Sequence, residues 1–149
     1  MKKITPFIWF ERDARKAADF YVSVFGEDSG IVDSSVMTDT PSGSVEIITV
    51  SLRGQEFTLM SAGPFQKLNS AVSFVINVSG QEEVDYFWNA LSAVPESEQC
   101  GWLKDKFGVT WQVVPKELHE LLANPDKEKA ARAQQAMLKM KKIVIDQLQ

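Results

Sequence analysis

A strand followed by a helix occurs twice in this chain, 67 residues apart, and that repeat limits the folds open to it. Within Ala14–Phe25, Ala17, Phe20, Tyr21 and Val24 fall at i, i+3, i+4 and i+7, the spacing of one face of an α-helix. Adding 67 to each number gives Val84, Phe87, Trp88 and Leu91, which keep that spacing. Asp13 is placed to cap the first helix and Gly26 to end it, while Ser79-Gly80-Gln81-Glu82 has the form of a capping box before the second. The same offset carries the β-rich run 4–10 onto the run 71–77. The chain therefore reads as two copies of one small unit.

More strands follow each helix. In the first half these are 31–37, 45–52 and 56–61, with Arg53-Gly54-Gln55 as a short hairpin turn. In the second half they are 97–103 and 109–114, with room for a short strand before them. Two βαβββ modules result, over about residues 4–62 and 70–115, in a domain spanning 1–115. The run 26–44, rich in Ser, Asp, Thr, Pro and Gly, departs from the symmetry and reads as a solvated connector. Residues 116–149 read as a helical tail: a helix at 117–122, a turn at Asn124-Pro125-Asp126 with Asn124 as cap and Pro125 at the first helical position, and a helix to about Met140. Its stripe of Ala133, Met137 and Met140 packs on the chain's own sheet or on a partner subunit, or else forms a Met-lined ligand surface.

The block from residue 100 to 115 reads Cys-Gly-Trp-Leu-Lys-Asp-Lys-Phe-Gly-Val-Thr-Trp-Gln-Val-Val-Pro, a strand, a tight turn and a strand stopped by proline. It resembles the final hairpin of the vicinal-oxygen-chelate superfamily (glyoxalase I, bleomycin-resistance proteins and extradiol dioxygenases), and within it the 3-demethylubiquinone-9 3-methyltransferase-like branch. The most specific pieces are 4–10, Phe20-Tyr21 and 101–115. The resemblance implies an α+β fold in which two βαβββ modules form a half-barrel sheet. It also implies a homodimer, since each module is half a barrel and leaves sheet edges to pair.

Metal-using members place a glutamate after the turn glycine where this chain has Gln112, and a histidine on the first strand of each module where it has Pro6 and Ser73. A fourth ligand would fall near Leu59, Met60 and Ser61, where there is no carboxylate, imidazole or thiol. An open catalytic zinc site needs three protein ligands. The resemblance, carried over residue by residue, therefore leads to a protein with no metal and no cofactor; a misplaced alignment would restore a metal-dependent lyase or dioxygenase. Strand alternation then gives the residues expected to face a cavity: Ile8 and Phe10, with Phe7 and Trp9 under the helix; Ser73, Val75 and Asn77; Thr110, Gln112 and Val114; and Thr58 and Met60 on the last strand of module one.

No acid–base pair stands out. Cys100 has no histidine near it in sequence, and the single histidine, His119, reads as an exposed helical residue between Glu117 and Glu120. Glu46 and Glu56 read as solvated carboxylates, and Asp105 as shaping the turn before Gly108. The glycines never fall as Gly-x-Gly, so the phosphate-binding turn of a Rossmann-like fold is absent and literal S-adenosylmethionine-dependent methyl transfer is not expected. A net charge of −4 argues against a nucleic-acid partner. One cysteine, no leader-like apolar run and no stretch near the ~20 residues that cross a bilayer lead to a cytoplasmic protein without a membrane partner. The expected function is binding of a small apolar or aromatic molecule by Ile8, Phe10, Met60, Ser73, Asn77, Thr110 and Gln112; the alternative is a metal-independent enzyme.

Overall fold

The computed structural model describes residues 2–149, which divide into two compact units between Leu68 and Asn69. The first holds β1 (Phe7–Phe10), α1 (Ala14–Phe25), β2 (Gly30–Thr40), β3 (Gly43–Leu52) and β4 (Gln55–Ser61). Its sheet runs β1-β4-β3-β2, with β1 parallel to β4 and the other pairs antiparallel. Leu52 pairs with Gln55 across Arg53 and Gly54, and both turn residues have positive φ, as a two-residue hairpin turn of the right twist requires. The run 26–44 is no loop: most of it is the eleven-residue edge strand β2, because Ile31, Val36 and Met37 favour extended backbone and β3 supplies a ladder.

Burial fixes the faces of this sheet. Ile8 pairs with Leu59, Leu59 with Ile48, and all three are buried on the face against which α1 lays Ala17, Tyr21 and Val24. Trp9 pairs with Met60 on the opposite, open face. Asp13 does not cap α1, since its backbone is left-handed and its side chain makes no cap bond. The first-turn amide of Ala14 donates instead to Ser61 Oγ at the end of β4, 2.8 Å away.

One ion pair ties α1 to β3. Arg15 grips Glu46 with both ends of its guanidinium, Nε to Oε1 at 3.2 Å and a terminal nitrogen to Oε2 at 2.6 Å, and Ser34 Oγ also donates to Oε2. That hydrogen bond from Arg15 holds the Glu46 carboxyl below its ordinary pKa. A depressed carboxyl stabilises the fold above its unfolded pKa and loses that contribution as pH falls through the folded value. The side chains remain 41% and 36% exposed, so the expected contribution is at most about 1 kcal/mol. Glu46→Gln should lower the urea midpoint at pH 7 and match the parent near pH 3; a gap that persists in acid would show the carboxylate charge is not responsible.

The second unit holds β5 (Phe74–Val78), α2 (Gly80–Leu91), β6 (Trp102–Lys104), β7 (Thr110–Pro115), α3 (Lys116–Leu122) and α4 (Lys127–Leu138). Its sheet has three strands, β5-β7-β6, one fewer than the βαβββ pattern asks. The strand expected over 97–103 shrinks to Trp102–Lys104 because Pro95 starts a 3-10 turn at Pro95–Ser97 and Cys100 and Gly101 both take positive φ. Ser79 makes no side-chain cap. The work of a capping box is shared by two glutamates: Glu83 accepts from the Ser79 amide, and Glu117 of α3 accepts from the Gly80 amide.

Asp126, not Asn124, caps α4, accepting from the Glu128 and Lys129 amides, while Asn124 Oδ1 accepts from the Asp126 amide in the turn before it. Both tail helices pack within this unit. Leu118, Ile143 and Leu148 form a buried cluster with Val114 of β7, and Met137 and Met140 pack against it. The segment after α4 is bonded along its length: the Cys100 amide donates to Met140 O, the Gly101 amide to Lys141 O, and the Gln81 side chain bridges Ile143 O and the Ile145 amide.

Candidate functional site

The turn Asp105-Lys106-Phe107-Gly108 sets the geometry of the second unit's open face. Asp105 is 1% exposed, and its carboxylate accepts from the amides of Phe107 and Val109 and from Trp111 Nε1 at 2.8 to 3.0 Å. It shapes the turn and anchors the indole of Trp111, which fixes which way β7 presents its residues. Trp111 and Val113 point into the core with Leu103 and Ile76, so Thr110, Gln112 and Val114 face the other way.

That face is the floor of a cavity of about 650 Å³. Gln112 stands beside Val75 of β5 and Trp102 of β6 in the ladder, and all three line it. α3 and α4 supply an aliphatic wall through Leu118, Leu122, Met137 and Leu138. The polar lining is made of hydroxyls and amides, with one thiol and one imidazole. Gln112 Nε2 donates to Ser73 Oγ at 2.9 Å, which holds the amide upright on the floor, and Thr110 Oγ1 lies 3.0 Å from Ser70 Oγ. Cys100 and His119, the single cysteine and single histidine, both border the cavity, a juxtaposition that the 18 residues of sequence between them do not announce. Gln99 Nε2 lies 3.2 Å from Cys100 Sγ.

The expected cavity residues separate. Thr110 and Gln112 line the cavity, and Ser73 meets it through its bond to Gln112. Asn77 is exposed and outside the lining, which on β5 includes Val75 but not the position beyond it. Ile8 and Phe10 are outside this lining. They are buried on the α1 side of the first sheet, because every residue of β1 is apolar and its phase is set by the pairing of Ile8 with Leu59. Met60 is on the open face of that sheet with Trp9, and Thr58 shares the face, bonded to Thr49. Of the stripe expected over Ala133, Met137 and Met140, for which a ligand surface was one alternative, Met137 lines the wall; Leu118, Leu122 and Leu138 were outside the sequence expectation.

The donors fit no divalent metal. Among the described residues, no three of His, Cys, Asp and Glu converge, and at the positions that the resemblance drawn from the sequence assigns to metal ligands the second unit has the Ser73 hydroxyl and the Gln112 amide, bonded to each other. Such neutral oxygens do not balance a dication.

The family described as 3-demethylubiquinone-9 3-methyltransferase matches residues 2–114. Among solved structures, the chain is similar to a putative 3-demethylubiquinone-9 3-methyltransferase, PhnB protein, from Bacillus cereus, at 30% identity over 76% of this chain and 99% of that one, with a TM-score of 0.63. Protein PA1353 from Pseudomonas aeruginosa has 18% identity over 77% and 98%, at 0.59. A fosfomycin resistance protein, FosX, from Listeria monocytogenes, solved with Mn(II) and a dihydroxypropylphosphonic acid, has 15% identity over 76% and 92%, at 0.53. The last two likenesses show the fold alone, which is the vicinal-oxygen-chelate fold. No curated protein matches.

Proposed function

The chain belongs to the family described as 3-demethylubiquinone-9 3-methyltransferase, and we propose that it binds a small apolar or aromatic molecule in the cavity of its second unit, without a metal ion. One observation carries the reading: Trp102 and Gln112 are cross-strand neighbours on the floor of a cavity whose exposed lining surface is mostly apolar, with an aliphatic wall from α3 and α4. An indole offers a flat apolar surface for a ring, and an amide fixed by Ser73 offers one directional hydrogen bond. Apolar walls with a few placed polar groups are the usual make-up of a small-molecule site, and about 650 Å³ lies within the usual size range.

Methyl transfer from S-adenosylmethionine is not part of this reading. Neither sheet is doubly wound, and no glycine-rich turn joins a strand to a helix as a phosphate- or ribose-binding turn would. A metal-independent enzyme is the second reading, favoured by the thiol of Cys100 and the imidazole of His119 at one cavity. We also place the protein as a homodimer in the cytoplasm; the long edge strand β2, with Val32 and Val36 exposed, supports pairing of two copies.

Native mass spectrometry of the protein as purified, with elemental analysis, tests the binding reading. A metal-free dimer with a small-molecule adduct is expected, and the adduct should slow alkylation of Cys100, the one cysteine available to label. Trp102→Ala should weaken retention of the adduct by about tenfold, the scale of one lost aromatic contact. Stoichiometric bound metal would overturn the metal-free reading; chemical conversion of the adduct that stops in Cys100→Ala would move the enzyme reading to first place.

A further inference from the structure

The open face of the first unit carries a second cavity, of about 390 Å³, lined by residues of that unit alone. Trp9, Met60, Met37 and Phe65 line it, closed at one end by the β2–β3 turn at Thr40, Pro41 and Ser42. Its polar atoms are already taken. Trp9 Nε1 donates to Gly63 O at 2.9 Å, Ser42 Oγ to Ala62 O, and Thr40 Oγ1 to Gly43 O at 2.6 Å. No charged side chain lines it. What remains for a ligand is the face of an indole, a phenyl ring and two thioethers.

Phe65 is 64% exposed, an unusual place for a phenyl ring, yet its position is defined. Gly63 has φ +85°, and a β-carbon there would come within 3.3 Å of both the Phe65 ring and Ser42 Oγ. The absent side chain at Gly63 lets the phenyl ring lie against the backbone that also receives the Trp9 indole. A ring and an indole are thus held at one rim by the same glycine.

We propose that this cavity is a binding site for a neutral aromatic compound of up to three rings. A charged ligand would be desolvated here with nothing to pair it. Offset stacking on Trp9 and Phe65, with methionine sulfurs at the ring edge, suits an uncharged ring.

Two probes of one skeleton test the inference: neutral N-phenyl-1-naphthylamine and anionic 8-anilinonaphthalene-1-sulfonate, titrated by fluorescence. The neutral probe should saturate and bind at least about tenfold more tightly than the anion. Phe65→Ala should weaken it by about tenfold, and Gly63→Ala, which displaces the ring, by a similar factor. Leu122→Gln, in the wall of the other cavity, should leave unchanged the component of binding that Phe65→Ala weakens, which separates failure here from failure of the reading above. Equal binding of the anion, indifference to both substitutions, or loss of the Phe65-sensitive component on Leu122→Gln would each overturn the proposal. So would a halved mass by light scattering in Phe65→Ala, because the face would then belong to an interface between two copies.

Discussion

Replacing Asp105 with alanine should cost about 3–5 kcal/mol and leave the second unit largely unfolded under mild urea. The carboxylate is buried and makes three bonds at once, two to the turn amides of Phe107 and Val109 and one to the indole of Trp111. Alanine would strand three donors, two of them in fully buried bonds, and each buried stranded donor carries its own desolvation penalty. Asp105→Asn separates charge from shape. Its carbonyl oxygen can still serve the two backbone amides, but its NH₂ would meet the Trp111 N–H, donor against donor. About half the alanine loss is expected. Urea unfolding followed by tryptophan emission reads both variants; a loss under about 1 kcal/mol for alanine would show the turn holds without the carboxylate. The consequence for the site is direct, because Thr110 and Gln112 reach the cavity only while Trp111 between them is anchored in the core.

Where the sequence could be read, a polar residue marked the phase. In β7, Thr110 and Gln112 alternate with Trp111 and Val113, so one face stands apart from the other in the residues themselves. In β1, Phe7, Ile8, Trp9 and Phe10 are all apolar, and alternation carries no sign; only the pairing with β4 assigns Ile8 to the helix side. Both first helices were legible from apolar spacing, but their caps were not. Ser61 serves α1 from 47 residues away and Glu117 serves α2 from 37, and no local pattern encodes such contacts. The tail shows the same limit. Its apolar stripe was visible, while its place as a wall of the cavity depends on how the chain after Leu138 is bonded to Cys100 and Gly101.

Gly101→Ala, the second large effect expected, tests that attachment. Gly101 has φ +86°, and a β-carbon would lie 3.1 Å from Val113 O and 3.3 Å from Ile143 Cγ1. The residue cannot shift to relieve this, since its amide donates to Lys141 O at 2.7 Å and its carbonyl accepts from the Val113 amide at 2.8 Å. Left-handed backbone and overpacking together should cost about 2–4 kcal/mol. Ile143 is fully buried, so Ile143→Ala alone should cost about 2–5 kcal/mol through the cavity it leaves. In the double variant the new methyl group enters that space, and the combined loss should fall short of the sum by about 1 kcal/mol. Strict additivity would mean that Val113 O and the backbone conformation carry the whole penalty, and that the tail does not press on the hairpin. With coupling present, Gly101→Ala should also move the wall formed by Met137 and Leu138, and retention of the adduct should weaken although residue 101 does not line the cavity.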